Sequence, residues 1–219
     1  MTRITIIGEG QTEQAFCNDV LSPLLIEKNI YPHNAIITKS GGGIVSWAAL
    51  KKEISNYLKH DPNLIVTTLI DYYGLKKEHG FPKWDEAHTK VDRAERMSNL
   101  EQGMLEDIEE NLRNRFIPYI QLHEFEGLLF SKIEAFDECF EENEFNDYNY
   151  LVETTNTDNP ENINDGATTA PSKRLKRIIK GYKKPLYGSM IAEEIGLRTI
   201  RDKCPRFNKW IEKLLALEE

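Results

Sequence analysis

Short apolar runs alternate with stretches of helical spacing through the first half of the chain. Residues 3–7, Arg-Ile-Thr-Ile-Ile, predict a strand; residues 8–11 turn, and Thr12 starts a helix in which Phe16, Val20, Leu21, Leu24 and Leu25 recur at helical spacing. Residues 35–38 predict a second strand, 40–43 a flexible turn and 44–59 a helix. Residues 63–71, Asn-Leu-Ile-Val-Thr-Thr-Leu-Ile-Asp, form a nearly continuous apolar run, as in a strand covered on both faces. After a polar loop at 72–82, a long charged helix is expected over 83–115. Residues 116–122 then return to the sheet, with Pro118 marking an edge.

Strands alternating with helices and joined by right-handed crossovers predict an α/β fold. The expected sheet is mostly parallel and Rossmann-like, with about four strands and helices on both faces. The second half is less regular. Residues 141–166 are rich in Asn, Asp and Glu and predict a loop or mobile insertion, whereas helices are expected at 172–180, 189–194 and 205–217. The expected organisation is an α/β core at 1–135 and an acidic loop with a helical C-terminal extension at 136–219, packed together as a single domain.

Composition narrows the class. With 219 residues, 40% of them hydrophobic, the chain can bury one sizeable core. No apolar run is long enough for a membrane span and no signal-peptide pattern is visible, so a cytoplasmic protein without membrane association is expected. Cys17, Cys139 and Cys204 are odd in number and widely spaced, which suggests free thiols rather than a disulfide framework or zinc site. The net charge of -8 argues against bulk coating of nucleic acid. Its distribution is uneven: residues 137–147 hold six acidic residues and no basic one, whereas Lys173, Arg174, Lys176, Arg177, Lys180, Lys183 and Lys184 form a basic strip.

The candidate chemistry lies at the predicted strand ends. Glu9 and Glu13 follow the first strand, Asp71 ends the long apolar one, and His123, Glu124 and Glu126 follow the last. Carboxylates at the carboxyl ends of parallel strands meet in one crevice, where oxygen ligands suit Mg2+ or Mn2+. Plainer readings stand beside these: a tight turn with Glu9 solvated, Asp71 as a cap, and His123 packed beside its strand. His-Glu-x-x-His, the Gly-Lys-Ser/Thr of a P-loop and Gly-x-Ser-x-Gly are all absent, which disfavours zinc proteolysis, nucleotide hydrolysis and serine catalysis.

These strand-end acids resemble the TOPRIM fold of topoisomerases, primases and OLD-type nucleases. More closely, four separated segments look like a small bacterial TOPRIM-like family: Glu9-Gly10-Gln11-Thr12-Glu13; Asp71-Tyr72-Tyr73-Gly74; residues 123–130, His-Glu-Phe-Glu-Gly-Leu-Leu-Phe; and Asn159-Pro160-Glu161-Asn162-Ile163-Asn164 with Thr169-Ala170-Pro171-Ser172-Lys173-Arg174-Leu175. The resemblance implies metal-dependent phosphodiester hydrolysis of DNA or RNA. Glu9, Asp71, Glu124 and Glu126 would hold Mg2+ or Mn2+, Glu13 or Glu124 would orient water or a second ion, and His123 would act as acid or base. Lys173, Arg174 and Arg177 would grip the nucleic-acid backbone. It also implies an ABC- or SMC-like ATPase encoded alongside, in a two-component system of OLD or anti-phage type; self-association stays open. Asp71 departs from the family's usual Asp-x-Asp, being followed by Tyr72 and Tyr73, and a single metal suits this chain better than two. The alternative is a non-catalytic regulatory or binding subunit of a partner ATPase.

Overall fold

The computed structural model describes residues 1–38, 45–164, 166 and 168–218. Its centre is a parallel sheet. Strand β1 (Thr2–Gly8) lies between β2 (Ile30–Ile36) and β3 (Leu64–Asp71), and two short strands, β4 (Phe116–Ile117) and β5 (Ile120–Gln121), continue beside β3. This is the α/β class that the alternation predicts, with five strands among the described residues.

Successive side chains along a strand point to opposite faces, so β1 and β3 serve two cores. Ile4, Ile6 and Leu69 pack with Phe16, Phe125, Leu175, Ile191, Phe207 and Trp210. Ile7, Val66 and Ile70 pack on the other face with Trp47, Leu50, Ile54, Met97, Leu100 and Met104. Double coverage explains why residues 63–71 read as one apolar run. β2 lies at an edge with alternating burial, where Pro32 costs no ladder bond. It begins five residues before the expected 35–38 because a half-exposed edge strand needs few apolar residues.

The helices of the first half are α1 (Gln11–Phe16), α2 (Ser22–Glu27), α3 (Trp47–His60), α4 (Trp84–Ala87) and α5 (Arg93–Asp107). A π-helical turn at Cys17–Leu21 joins α1 to α2, and Pro23, which lacks an N–H, sits in the first turn of α2. The turn expected at 40–43, and Ile44, lie outside the described residues. The single helix expected over 83–115 is corrected to α4, a break, α5 and a 3-10 segment at Glu110–Arg115. The break is chemical: Asp92 accepts the Glu95 N–H at 2.7 Å and starts a new helix. At the far end Arg113 Nε donates to the Ile108 carbonyl at 2.8 Å.

The strand expected at 116–122 is also divided. Pro118 offers no donor, and the Thr68 hydroxyl fills the gap, accepting the Tyr119 N–H and donating to the Tyr119 carbonyl, both at 2.9 Å.

The second half contains α6 (Glu134–Cys139), α7 (Tyr148–Thr155), α8 (Pro171–Ile178), α9 (Lys184–Ile195), α10 (Leu197–Lys203) and α11 (Pro205–Leu215). Helix α7 corrects the expectation of a loop throughout 141–166. Asp147 caps it, and Leu151 and Thr154 are buried. Helix α10 was not foreseen, and α9 starts five residues earlier than 189. Residues from both halves share the first core, so the C-terminal region completes the sheet's packing. Trp210 of α11 stacks on Tyr119 at 4.7 Å and donates to the Thr67 hydroxyl at 2.9 Å. No helix among the described residues is long and apolar enough to cross a membrane. Cys17, Cys139 and Cys204 are free thiols.

Candidate active site

The chain leaves β1 toward β2 on one side, while β3 pairs with β1 on the other, and all these strands are parallel. Open α/β sheets form a crevice at such a switch point, beyond the carboxyl ends of the strands. Glu9 follows β1 and Asp71 ends β3, and the Asp71 N–H donates to Glu9 Oε2 at 3.1 Å, which ties the end of β3 to the Glu9 side chain.

The turn at residues 8–10 is shaped around Glu13. Glu13 Oε2 accepts the Gly10 N–H at 2.8 Å, which ties the first turn of α1 to its entry. A Cβ on Gly8 would lie 3.0 Å from Glu13 Cβ, so glycine is needed for this close return.

The segment after β5 supplies the remaining acids. His123 adopts a left-handed φ of 68° and turns the chain sharply. Arg93 donates to its Nε2 at 2.8 Å, and Asn164 contacts its Nδ1 at 3.1 Å. The Phe125 N–H donates to Asp71 Oδ1 at 2.8 Å, which locks this segment to the end of β3. Glu124 points to the start of α8, where the Ser172 N–H and hydroxyl donate to its two oxygens at 2.8 and 2.9 Å. Glu126 is fully buried.

Lys184, the first residue of α9, reaches into this acidic centre. Its Nζ stands 2.8 Å from Glu126 Oε1 and 3.9 Å from Glu124 Oε1. The contact with Glu126 is an ion pair by distance, yet neither Glu126 oxygen receives a well-directed hydrogen bond. The buried Tyr182 hydroxyl is likewise without a hydrogen-bond partner, and it stands beside Gly188, one turn along α9 from Lys184.

Burial is the leading cause of raised pKa values at Glu9, Glu13, Glu126 and Asp71. Neighbouring carboxylates push in the same direction, most strongly at Asp71. Burial opposes the Lys184 charge, but Glu126 and Glu124 outweigh it and raise the ammonium's pKa. Among the described residues, Lys184 is the cation in ion-pair contact with these carboxylates, reaching Glu126 and Glu124.

The model of a family described as a domain of unknown function, DUF4276, matches residues 8–215. The chain belongs to this family. The matched span contains every strand-end acid and Lys184, so the centre belongs to the DUF4276 domain itself. No curated protein and no solved structure matches the chain.

The DUF4276 fold thus brings Glu9, Glu13, Asp71, Glu124 and Glu126 together at the carboxyl ends of the strands. Among the described residues, no group of three or more His, Cys, Asp or Glu side chains is arranged to hold a metal ion. The donor set still fits Mg2+ or Mn2+ in kind: it is all oxygen, net negative, and includes Glu126 Oε2, a buried acceptor with no donor. Arg93 and Asn164 engage the two ring nitrogens of His123 at the turn.

The proposed substrate-binding residues are less uniform. Lys173 is exposed, next to Ser172. Arg174 is half-buried and donates to the Thr169 carbonyl at 2.8 Å. Arg177 pairs with Asp147 at 2.6 Å and lies 3.8 Å from the Tyr150 ring centre, so it fastens α8 to α7. Tyr72 and Trp84 pack against the second core, while Tyr73 is 40% exposed.

Sequence reasoning missed Lys184 as a site residue because it sits in a run whose other cations are exposed or fastened elsewhere. One signal was present: a cation at a helix N-terminus opposes the helix dipole and requires compensation. Glu161, in the matching Asn-Pro-Glu segment, proves to be a cap. Its oxygens accept the N–H groups of Arg206 at 2.8 Å and Phe207 at 3.0 Å, at the start of α11.

Proposed function

We propose that this protein is a metal-dependent nuclease hydrolysing phosphodiester bonds of DNA or RNA. The observation that carries the reading is Glu126, fully buried at the carboxyl ends of the strands with an oxygen that no donor among the described residues satisfies, beside four other carboxylates. Structural burial of a carboxylate ordinarily comes with complete hydrogen bonding, so an unsatisfied one points to a missing cation.

Glu9, Asp71, Glu124 and Glu126 would hold the ion. When bound, Mg2+ or Mn2+ supplies Lewis acidity and neutralises charge on the scissile phosphate. The chain does the positioning: Phe125 N–H fixes Asp71, Asp71 N–H fixes Glu9, and Ser172 fixes Glu124. Glu9 is the one of the five acids that is not buried. It would therefore hold the ion on the solvent side of the cluster, while Glu13 or Glu124 would orient the attacking water. Lys173, exposed at the start of α8, is available to a phosphate on the approach side. The resemblance to OLD-type systems extends the proposal to an ATPase partner and an anti-phage role.

One observation favours a second reading. Lys184 already pairs with Glu126, as it would in a purely structural ion cluster of a non-catalytic subunit that serves a partner ATPase. The test is divalent-dependent cleavage of plasmid, single-stranded DNA and total RNA by wild type, Glu126→Gln, Asp71→Asn and Glu9→Gln, each shown to be folded. Cleavage lost in all three variants supports the nuclease. Cleavage that survives Glu126→Gln and Asp71→Asn refutes this site, and folded wild type that binds no divalent ion favours the structural cluster.

A further inference from the structure

The basic strip from Lys173 to Lys184 makes two very different uses of its charges. Lys173, Lys176, Lys180 and Lys183 are exposed and Arg177 pairs with Asp147, whereas Lys184 turns inward to the buried Glu126. Its position is costly by local rules, since the first turn of α9 presents unsatisfied N–H groups and a positive dipole end.

Packing holds it there. Gly188, one turn later on the same face, lets α9 approach α1 so closely that a Cβ would stand 3.1 Å from Thr12 Cγ2. The same approach delivers Lys184 to Glu126. The lysine stem is flexible and the side chain is 36% exposed, so part of it already lies at the protein surface.

We propose that Lys184 is a tethered stand-in for the divalent ion: its ammonium occupies the cation position beside Glu126 in the metal-free protein and leaves it when the ion binds. The inference rests on the reading of the acidic crevice as a metal centre. It accounts for two facts together. Two of the five acids, Glu124 and Glu126, already face a single-charge cation, and among the described residues the acids form no metal-holding group. Glu126 keeps an unsatisfied oxygen because one ammonium, approaching off-line, cannot serve both of its oxygens.

An internal competitor weakens divalent binding, and the ion's arrival frees a cation at the mouth of the site. The coupling is reciprocal: whatever holds Lys184 outward tightens the ion, and the ion holds Lys184 outward.

The experiment measures Mn2+ binding by titration calorimetry to the whole protein and to Lys184→Met. In parallel, wild-type lysines are acetylated with and without Mn2+ and read by mass spectrometry. The expected result is about ten- to hundredfold tighter binding by Lys184→Met, the span of ordinary coupling between sites. In wild type, Lys184 acetylates faster once Mn2+ is present, while Lys183, exposed next door, does not change. If Lys184→Met does not fold, the acetylation comparison on wild type decides the matter alone. Mn2+ binding with unchanged affinity in Lys184→Met, or with unchanged Lys184 labelling, overturns the stand-in and leaves the metal centre intact. Absence of Mn2+ binding to both proteins overturns the stand-in and the metal centre together.

Discussion

At the scale of single residues, the centre is built from side chains that each answer a backbone need as well as a chemical one. Glu13 serves the entry to α1, Ser172 serves Glu124, and Glu161 serves the start of α11. Ser172→Ala removes one hydrogen bond to a buried carboxylate while the backbone N–H remains. The expected loss is about 1.5–3 kcal/mol in a denaturant unfolding midpoint, the range for bonds to charged groups; no loss would show that Glu124 is solvated instead. Glu9, Glu13, Asp71, Glu124 and Glu126 were legible in the sequence because a carboxylate after an apolar run has one natural place, the rim of the sheet. Lys184 was not, since nothing in residues 173–184 distinguishes the one lysine that turns inward.

At the scale of elements, turn and cap chemistry decided what hydrophobic spacing left open. Asp92 with Glu95 three residues on is a helix-start signature inside the charged stretch 83–115, and it divides α4 from α5. Asp92→Ala is expected to cost about 1 kcal/mol in thermal or denaturant unfolding. The contact of α9 with α1 is stricter. Gly188→Val must force the two helices apart or displace Thr12, at about 1–3 kcal/mol in unfolding experiments. Because Lys184 rides on the same face of α9, that variant should also alter Lys184 acetylation; a variant as stable as wild type would show that α9 has room to move. The division of β4 from β5 follows from Pro118, visible in the sequence. The hydroxyl repair by Thr68 depends on a residue fifty positions away and was not.

At the scale of the whole molecule, two expectations separate a shared core and a charge-starved centre from their alternatives. The first core joins Ile4 and Leu69 to Ile191, Phe207 and Trp210 as well as to Phe16 and Phe125, so a fragment ending at residue 135 loses much of the cover on one face of its sheet. Such a fragment should show no cooperative thermal transition; a sharp one would prove the first 135 residues independent. The second expectation concerns pH. Glu9, Glu13, Asp71 and Glu126 keep their protons to higher pH folded than unfolded, so in that interval the folded state binds more protons and stability falls as pH rises. Lys184 gives no relief there, because its raised pKa contributes stability that is lost only at strongly alkaline pH. Asp147, lowered by its bond to Arg177, acts with the opposite sign, below the ordinary carboxylate range. The metal-free protein should therefore melt at a higher temperature near about pH 5.5 than near about pH 8, and saturating Mn2+ should reduce that difference. A melting temperature that rises over the same interval would show the carboxylates to be ordinary.

The chain by itself determined the α/β class, the parallel direction of its main strands and the sheet rim where its acids emerge. Those features follow from local periodicity and from handedness rules that act on neighbouring elements. Tertiary structure alone decided that the C-terminal helices complete the first core and that α7 orders part of an acidic stretch. It also decided that Gly188 brings α9 against α1, carrying Lys184 among the carboxylates. These are contacts between residues from about thirty to about two hundred positions apart, set by which surfaces fit when the sheet is covered, and no spacing along the chain records them.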